Sequence, residues 1–184
     1  MPEPPFDVPR LPAGDSLALR PWTLADLPLV EEASGDPYIP LITTVPSAYS
    51  HAAGVAFVER QWDRAAHGTG WPFVVERVAD GRAVGTVGLW SAPHARASAG
   101  YWVAPSARGG GAALAGLRAA TAWAFAALGL ARVELYVEPW NTASRRTAES
   151  AGFRPEGLLR SWQEVGGARR DMLMYARLPT DPVG

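Results

Sequence analysis

Hydrophobic positions along this chain change period repeatedly, and each change marks an element. Leu17 and Leu19 alternate with their neighbours, which predicts a first strand over Ser16 to Pro21. Thr23 and Asp26 are capping residues for a helix of about Leu27 to Ala33, with Pro28 tolerable in its first turn. The segment from Gly35 through Pro46 reads as loop, although Tyr38, Ile39, Leu41 and Ile42 in it must cover something. Ser50 then caps a second helix to about Ala66, with Val55, Val58, Trp62 and Ala65 at helical spacing and Gly68 just past its end. Period two returns in Trp71 to Arg77, Val84 to Trp90 and Ala97 to Val103, the first pair joined by an Asp80-Gly81 turn. The longest helical stripe is Leu114, Leu117, Thr121, Phe125 and Leu128, stopped by Gly129. Val133, Leu135 and Val137 share one face of a strand over Arg132 to Val137. A shorter helix over Asn141 to Ala151 ends at Gly152, and a hairpin around Gly166-Gly167 joins Phe153–Val165 to Arg170–Leu178.

The resulting order, β-α-α-β-β-β-α-β-α-β-β, predicts a mixed α/β fold. Its sheet has about seven strands, mostly antiparallel, and about four helices accompany it. The unit from Ala97 to Val137 is expected to be a right-handed β-α-β crossover with two parallel strands. Residues 1–14 hold five prolines and read as a loose tail, and residues 15–184 as one domain.

Composition narrows the chemistry. The chain is 48% hydrophobic and 19% charged, the balance of a globular protein. A net charge of −1 gives no basic field to collect nucleic acid or an anionic membrane. There is no cysteine, which removes disulfides, thiolate nucleophiles and cysteine zinc sites. His51, His67 and His94 lack metal-ligand spacing, so no metal is expected. No apolar leader or membrane span is evident, and a cytoplasmic protein is the expectation.

One stretch carries candidate chemistry: Gly100-Tyr101-Trp102-Val103, then Arg108-Gly109-Gly110-Gly111-Ala112-Ala113 at the start of the long helix. Glycines allow φ > 0 and leave the backbone bare. The first helical turn offers amides with no helical acceptor, backed by the positive end of the dipole. Such a turn receives phosphate; alternatively it is a plain surface turn. A Walker loop is excluded because no lysine exists in the chain. A dinucleotide fingerprint is disfavoured because Leu114 fills its sixth place, although Glu134 sits where a ribose-binding acid would.

The pattern Arg-x-x-Gly-x-Ala at Arg108–Ala113 resembles that of the GNAT acyltransferases. The likeness also takes in Gly-Tyr-Trp-Val upstream and Asn141-x-x-Ser144-x-Arg146-x-x-Glu149-x-x-Gly152-Phe153 downstream. Glu156-Gly157-x-Leu159-Arg160 and Asp171 extend it, and within the family it is most similar to the Rim-type branch of ribosomal-protein N-terminal acetylases. The resemblance implies a GNAT fold whose parallel strands splay at the cofactor site. Acetyl-CoA or another acyl-CoA would be the co-substrate and an amine, on a protein N-terminus or a small molecule, the acceptor. Homodimers are common among such relatives.

By the same resemblance, Arg108, Gly109, Gly110, Gly111, Ala112 and Ala113 hold the pyrophosphate, with Arg146 also at the cofactor. Trp102 and Val103 pair their main chain with the pantetheine arm, and Asn141 bonds a pantetheine amide. An N-cap role for Asn141 is equally sensible chemically. Many relatives place an acid tyrosine where this chain has Ala148. Ser144 is the implied substitute beside the sulfur; its alternative role is helix capping. Glu164 is the implied base, with Glu76, His94 and Glu134 as other candidates, and an α-amine near pKa ~8 needs none. Tyr38, Trp71, Trp90 and Trp162 are expected to line the acceptor pocket, although such aromatics more commonly belong to a core. The missing tyrosine leaves a second reading open, an acyl-CoA-binding sensor without catalysis.

Overall fold

The computed structural model describes residues 8–182. Eight strands form one sheet in the order β1-β2-β3-β4-β5-β6-β8-β7. They are β1 (Leu11–Pro12), β2 (Leu17–Arg20), β3 (Gly70–Arg77), β4 (Ala83–Ala92), β5 (Arg96–Val103), β6 (Arg132–Val137), β7 (Arg154–Val165) and β8 (Ala168–Arg177). Five helices accompany them: α1 (Leu27–Ser34), α2 (Ile39–Ile42), α3 (His51–Ala66), α4 (Ala112–Leu128) and α5 (Thr142–Ser150). Every neighbouring pair of strands is antiparallel except β5 with β6.

Strand alternation divides the interior into two layers. Phe73, Val75, Val87 and Leu89 face α4, where Leu117, Ala120 and Ala124 pack against them. Val74 faces the opposite way, into Val30, Phe57 and Val58 of α1 and α3. Two predicted caps hold: Ser50 Oγ accepts from Ala53 N at 3.1 Å, and Gly129 ends α4 at φ 62°, whereas Asp26 at the N-cap of α1 makes no side-chain capping bond to that helix.

Two expectations are corrected. The expected tail is structured from Val8 onward: Val8 and Ala13 are buried, and β1 pairs with β2. Proline density misled here because an edge strand tolerates proline; residues 1–7 lie outside the described residues. The expected loop from Gly35 to Pro46 contains the single turn α2, seeded by Asp36 Oδ1, which accepts from Tyr38 N and Ile39 N at 2.8 and 2.9 Å.

An ionic lock fixes the start of α1 to the sheet. Arg20 donates to both Asp26 oxygens, at 2.8 and 2.7 Å, and also to Glu76. Asp26 in turn accepts from Thr23 N at 2.8 Å. Hydrogen bonds from Arg10, at 2.5 Å, and from Arg20 hold the Glu76 carboxyl below its ordinary 4.5 against the opposing effect of burial.

Because Glu76 has a lower pKa folded than unfolded, its contribution is complete above the unfolded value and is lost as pH falls. Urea midpoints measured between about pH 5 and pH 3 are expected to fall more steeply in the wild type than in Glu76→Gln. In the core, Leu117 is fully buried between α4 and the sheet. Leu117→Ala is expected to cost about 2–5 kcal/mol in urea unfolding.

Candidate active site

The site begins where two strands part. The parallel pairing of β5 with β6 runs through Arg96↔Arg132, Ala97↔Val133 and Ser98↔Glu134, then stops. Beyond it β5 stays paired to β4 as far as Val103, and β6 to β8 as far as Val137. The facing edges of Ala99–Val103 and Leu135–Val137 are thus unpaired with each other and bound a wedge. By strand alternation, half of the amides and carbonyls on those edges point into it.

At the wide end of the wedge the chain turns through Gly109 (φ 82°) and Gly111 (φ 74°) into α4. A side chain at either position would be strained, and nothing stands within 4 Å of where its Cβ would lie. The first intrahelical bond of α4 runs from Ala115 N to Gly111 O at 3.0 Å. The amides of Gly111 to Leu114 therefore have no helical acceptor. Arg108, beside this turn, donates to Asp36 Oδ2 at 2.6 Å. Burial pushes the Asp36 carboxyl up, but the Ile39 and Tyr38 amides and Arg108 together hold it below its ordinary range.

A cleft of about 590 Å³ joins this turn to the wedge. Trp102, Val103, Arg108, Gly109, Gly111, Ala112, Ala113, Asn141 and Ser144 all line it. Gly110 and Arg146 do not; Arg146 is exposed on the outer face of α5. The helical repeat puts its neighbour Arg145 inward instead, against Tyr175 Oη at 3.5 Å. Asn141 caps α5 by accepting from Ser144 N at 3.1 Å.

On the far side of the strands lies a second cavity of about 270 Å³. Tyr38, Ile42, Thr43, Tyr101, Asn141 and Ser144 line both cavities and mark where the two adjoin. Ser144 is one of these shared residues, its Oγ 2.8 Å from Tyr101 Oη, which donates its proton to Ser144 O at 3.0 Å. Burial raises the Tyr101 pKa, opposed by its hydrogen bonds to Ser144 and Thr147. Ala148, where relatives carry the acid tyrosine, is fully buried.

The four aromatics expected in the acceptor pocket separate. Tyr38 and Trp90 line the smaller cavity. The indole of Trp90 lies over Gly70 and Gly88, where Cβ atoms would come within 2.5 Å of the ring, and Arg64 covers it at 4.9 Å. Trp162 is half exposed and stacks on the lining residue Tyr136 at 5.6 Å. Trp71 is core, edge-on to Trp123 at 6.0 Å. It faces α4 because its position in β3 has the parity of Phe73.

The expected base Glu164 is exposed and lines neither cavity, whereas Gln163 lines the smaller one. A register shift between Leu159 and Gln163, with Ser161 at φ 51°, sets which face each residue takes. Glu76 and Glu134 are engaged by arginines, and His94 is exposed in the turn between β4 and β5. Sequence reasoning missed Tyr101 and Glu138. Glu138 is 4% exposed, lines the smaller cavity and accepts from Tyr38 Oη at 2.6 Å. Burial and this bond both raise the Tyr38 pKa. One sequence signal pointed to Glu138: it stands at the carboxyl end of a parallel strand, where α/β sheets place ligands. Among the described residues no group of three or more acidic or histidine side chains is arranged to hold a metal, and no helix is long and apolar enough to cross a membrane.

Known proteins share this architecture. RimJ from Mycobacterium smegmatis, solved in complex with CoA-disulfide, is 33% identical with a TM-score of 0.79 over 92% of this chain and 85% of its own. A RimL structure, described as a ribosomal L7/L12 alpha-N-protein acetyltransferase in complex with coenzyme A, shares the fold at 21% identity. Its TM-score is 0.81, over 92% of this chain and 98% of that one. Among curated proteins, the uncharacterized N-acetyltransferase p20 of Bacillus licheniformis is 37% identical over 62 residues, 34% of this chain. That match spans only 35% of the relative's own length. The family described as "Acetyltransferase (GNAT) domain" matches residues 16–154. With the splayed strands and bare glycine turn in place, this chain belongs to the GNAT acetyltransferase family and resembles its Rim-type branch.

Proposed function

We propose that this chain is an N-acyltransferase, moving an acetyl or related acyl group from acyl-coenzyme A to a primary amine. The acceptor is a protein N-terminal α-amine or a small-molecule amine. The observation that carries the reading is that one cleft is lined by the bare amides at Gly111–Leu114, the unpaired edge of β5 at Trp102 and Val103, and Ser144.

The residues fit coenzyme A. Unsatisfied amides and the positive end of the α4 dipole suit a pyrophosphate. The unpaired edge of β5 at Trp102 and Val103 suits an amide-bearing arm that adds like a strand. Asn141 lines both cavities and can offer its side-chain NH₂ while Oδ1 caps α5. When bound, acyl-CoA supplies an activated thioester carbonyl where the two cavities adjoin.

Ser144 then provides a hydroxyl for the departing sulfur. A lone serine is a weak acid, but here Oγ is paired with Tyr101 Oη, and once the tyrosine O–H turns from Ser144 O to Oγ it can replace a proton given up by Ser144. Val103 offers its main chain near the carbonyl, a source of oxyanion stabilisation. A sensor without catalysis is the competing reading, supported by the buried Ala148 in place of the usual tyrosine.

The test is thiol release from acetyl-CoA against a panel of peptides and small amines. Turnover supports the enzyme, and tight acetyl-CoA binding with no turnover on any amine selects the sensor. Gly111→Val, which forces a β-branched residue to positive φ over the amides, is expected to weaken coenzyme A binding tenfold or more by calorimetry. Ser144→Ala is expected to lower kcat about 10²-fold with coenzyme A affinity unchanged. Tyr101→Phe is expected to lower kcat less, about tenfold, since it removes neutral hydrogen bonds to Ser144 O and Oγ but leaves the serine hydroxyl in place.

A further inference from the structure

We propose that Glu138 is the acceptor-ammonium site: it binds the incoming cationic amine, takes its proton and so selects a primary amine on a short apolar stem. This deepens the acyltransferase reading and rests on it. Glu138 directly follows β6, and its side chain is only 5% exposed. A carboxylate buried to that degree needs compensating partners. One oxygen has a strong one, since Oε2 accepts from Tyr38 Oη at 2.6 Å. The other is poorly served. Oε1 faces Arg170 Nε at 3.9 Å, beyond hydrogen-bond reach, on a side chain that is 55% exposed.

That under-served oxygen belongs to a residue lining the smaller cavity, where the other residues that could meet a ligand are neutral. Ile42, Trp90 and Tyr136 supply apolar and aromatic surface, and Thr43, Ser98 and Gln163 supply uncharged polar groups. Among the lining residues Glu138 is the one that carries charge. A cavity of about 270 Å³ takes a small stem, not a long polycation. The complementary ligand is therefore a single ammonium with aromatic walls around it, held by a charge-assisted hydrogen bond. Tyr38 fixes the carboxylate, and itself leads to the cofactor side: it follows Asp36, whose other oxygen holds Arg108.

The chemistry balances. The ammonium gives one proton to Glu138 Oε1, which frees the nitrogen lone pair. Nitrogen attacks the thioester carbon, the C–N bond forms and the C–S bond breaks. The second nitrogen proton reaches the departing sulfur through Ser144, giving an amide and a thiol, and Glu138 releases its proton to water.

Two acceptors distinguish the sources of such an amine: an alanyl tripeptide amide for a protein N-terminus, and 2-phenylethylamine for a small molecule. Steady-state kinetics with acetyl-CoA would compare wild type, Glu138→Gln and Glu138→Asp, with coenzyme A affinity measured on each. Glu138→Gln is expected to lower kcat/KM for the accepted amine at least 100-fold and raise its KM at least tenfold, with coenzyme A affinity within twofold of wild type. Glu138→Asp is expected to recover part of the loss. Wild-type turnover matched within threefold by Glu138→Gln overturns the proposal, as does a wild type that binds acetyl-CoA but acetylates neither amine. Failure of the wild type to bind acetyl-CoA overturns the acyltransferase reading itself. Should Glu138→Gln not fold, Tyr38→Phe serves: at least a fivefold rise in amine KM supports the site, and an unchanged amine KM overturns it.

Discussion

The divergence of β5 and β6 after three paired residues is the constraint on which the molecule's chemistry depends. A parallel pair that stayed hydrogen-bonded to its end would fill the space where both cavities lie. Each strand instead keeps its outer partner, β4 for one and β8 for the other, so the sheet remains continuous while its middle opens. The unpaired edges that result would cost free energy if dry and empty. Lining a solvent-accessible cleft, they are available to a ligand that can pair with them.

Around the opening, single side chains tie together parts that lie far apart in the sequence. Asp36 holds Arg108 of the glycine turn while its other oxygen starts α2. Tyr38, two residues on, reaches Glu138 beyond β6, and Tyr101 of β5 reaches Ser144 of α5. Glu32 of α1 accepts from Ser106 N at 2.7 Å and steadies the segment leading into the turn. The two ends of the cleft are thus held by shared residues. Displacing the loop around Asp36 would disturb both the phosphate-type turn and the acidic group at the far end.

The same geometry divides the labour between hydroxyls and the carboxylate. Tyr101 and Ser144 line both cavities, where, on the proposed reading, a departing sulfur would need a proton. Glu138 lines the smaller cavity beside them, where, on the proposed reading, an arriving cation would need to lose one.

Much was legible in the amino-acid order. Period changes located the strands and major helices to within a few residues, because alternation and helical repeats depend on near neighbours alone. The glycine turn and the residues of β5 beside it were readable for the same reason: backbone freedom and unsatisfied amides are local properties. What depended on contact across the fold was not. Strand parity put Trp71 in the core, and a shift in the β7–β8 register took Glu164 off the cavity in favour of Gln163. Glu138 is marked out by Tyr38, a hundred residues away, which donates to its carboxylate. Sequence by itself determined the elements, their order and the bare glycine turn, each set by short-range sterics and hydrogen bonding. Only the tertiary structure decided which carboxylate and which hydroxyls meet at the wedge, because that meeting is made by side chains from separate strands and helices.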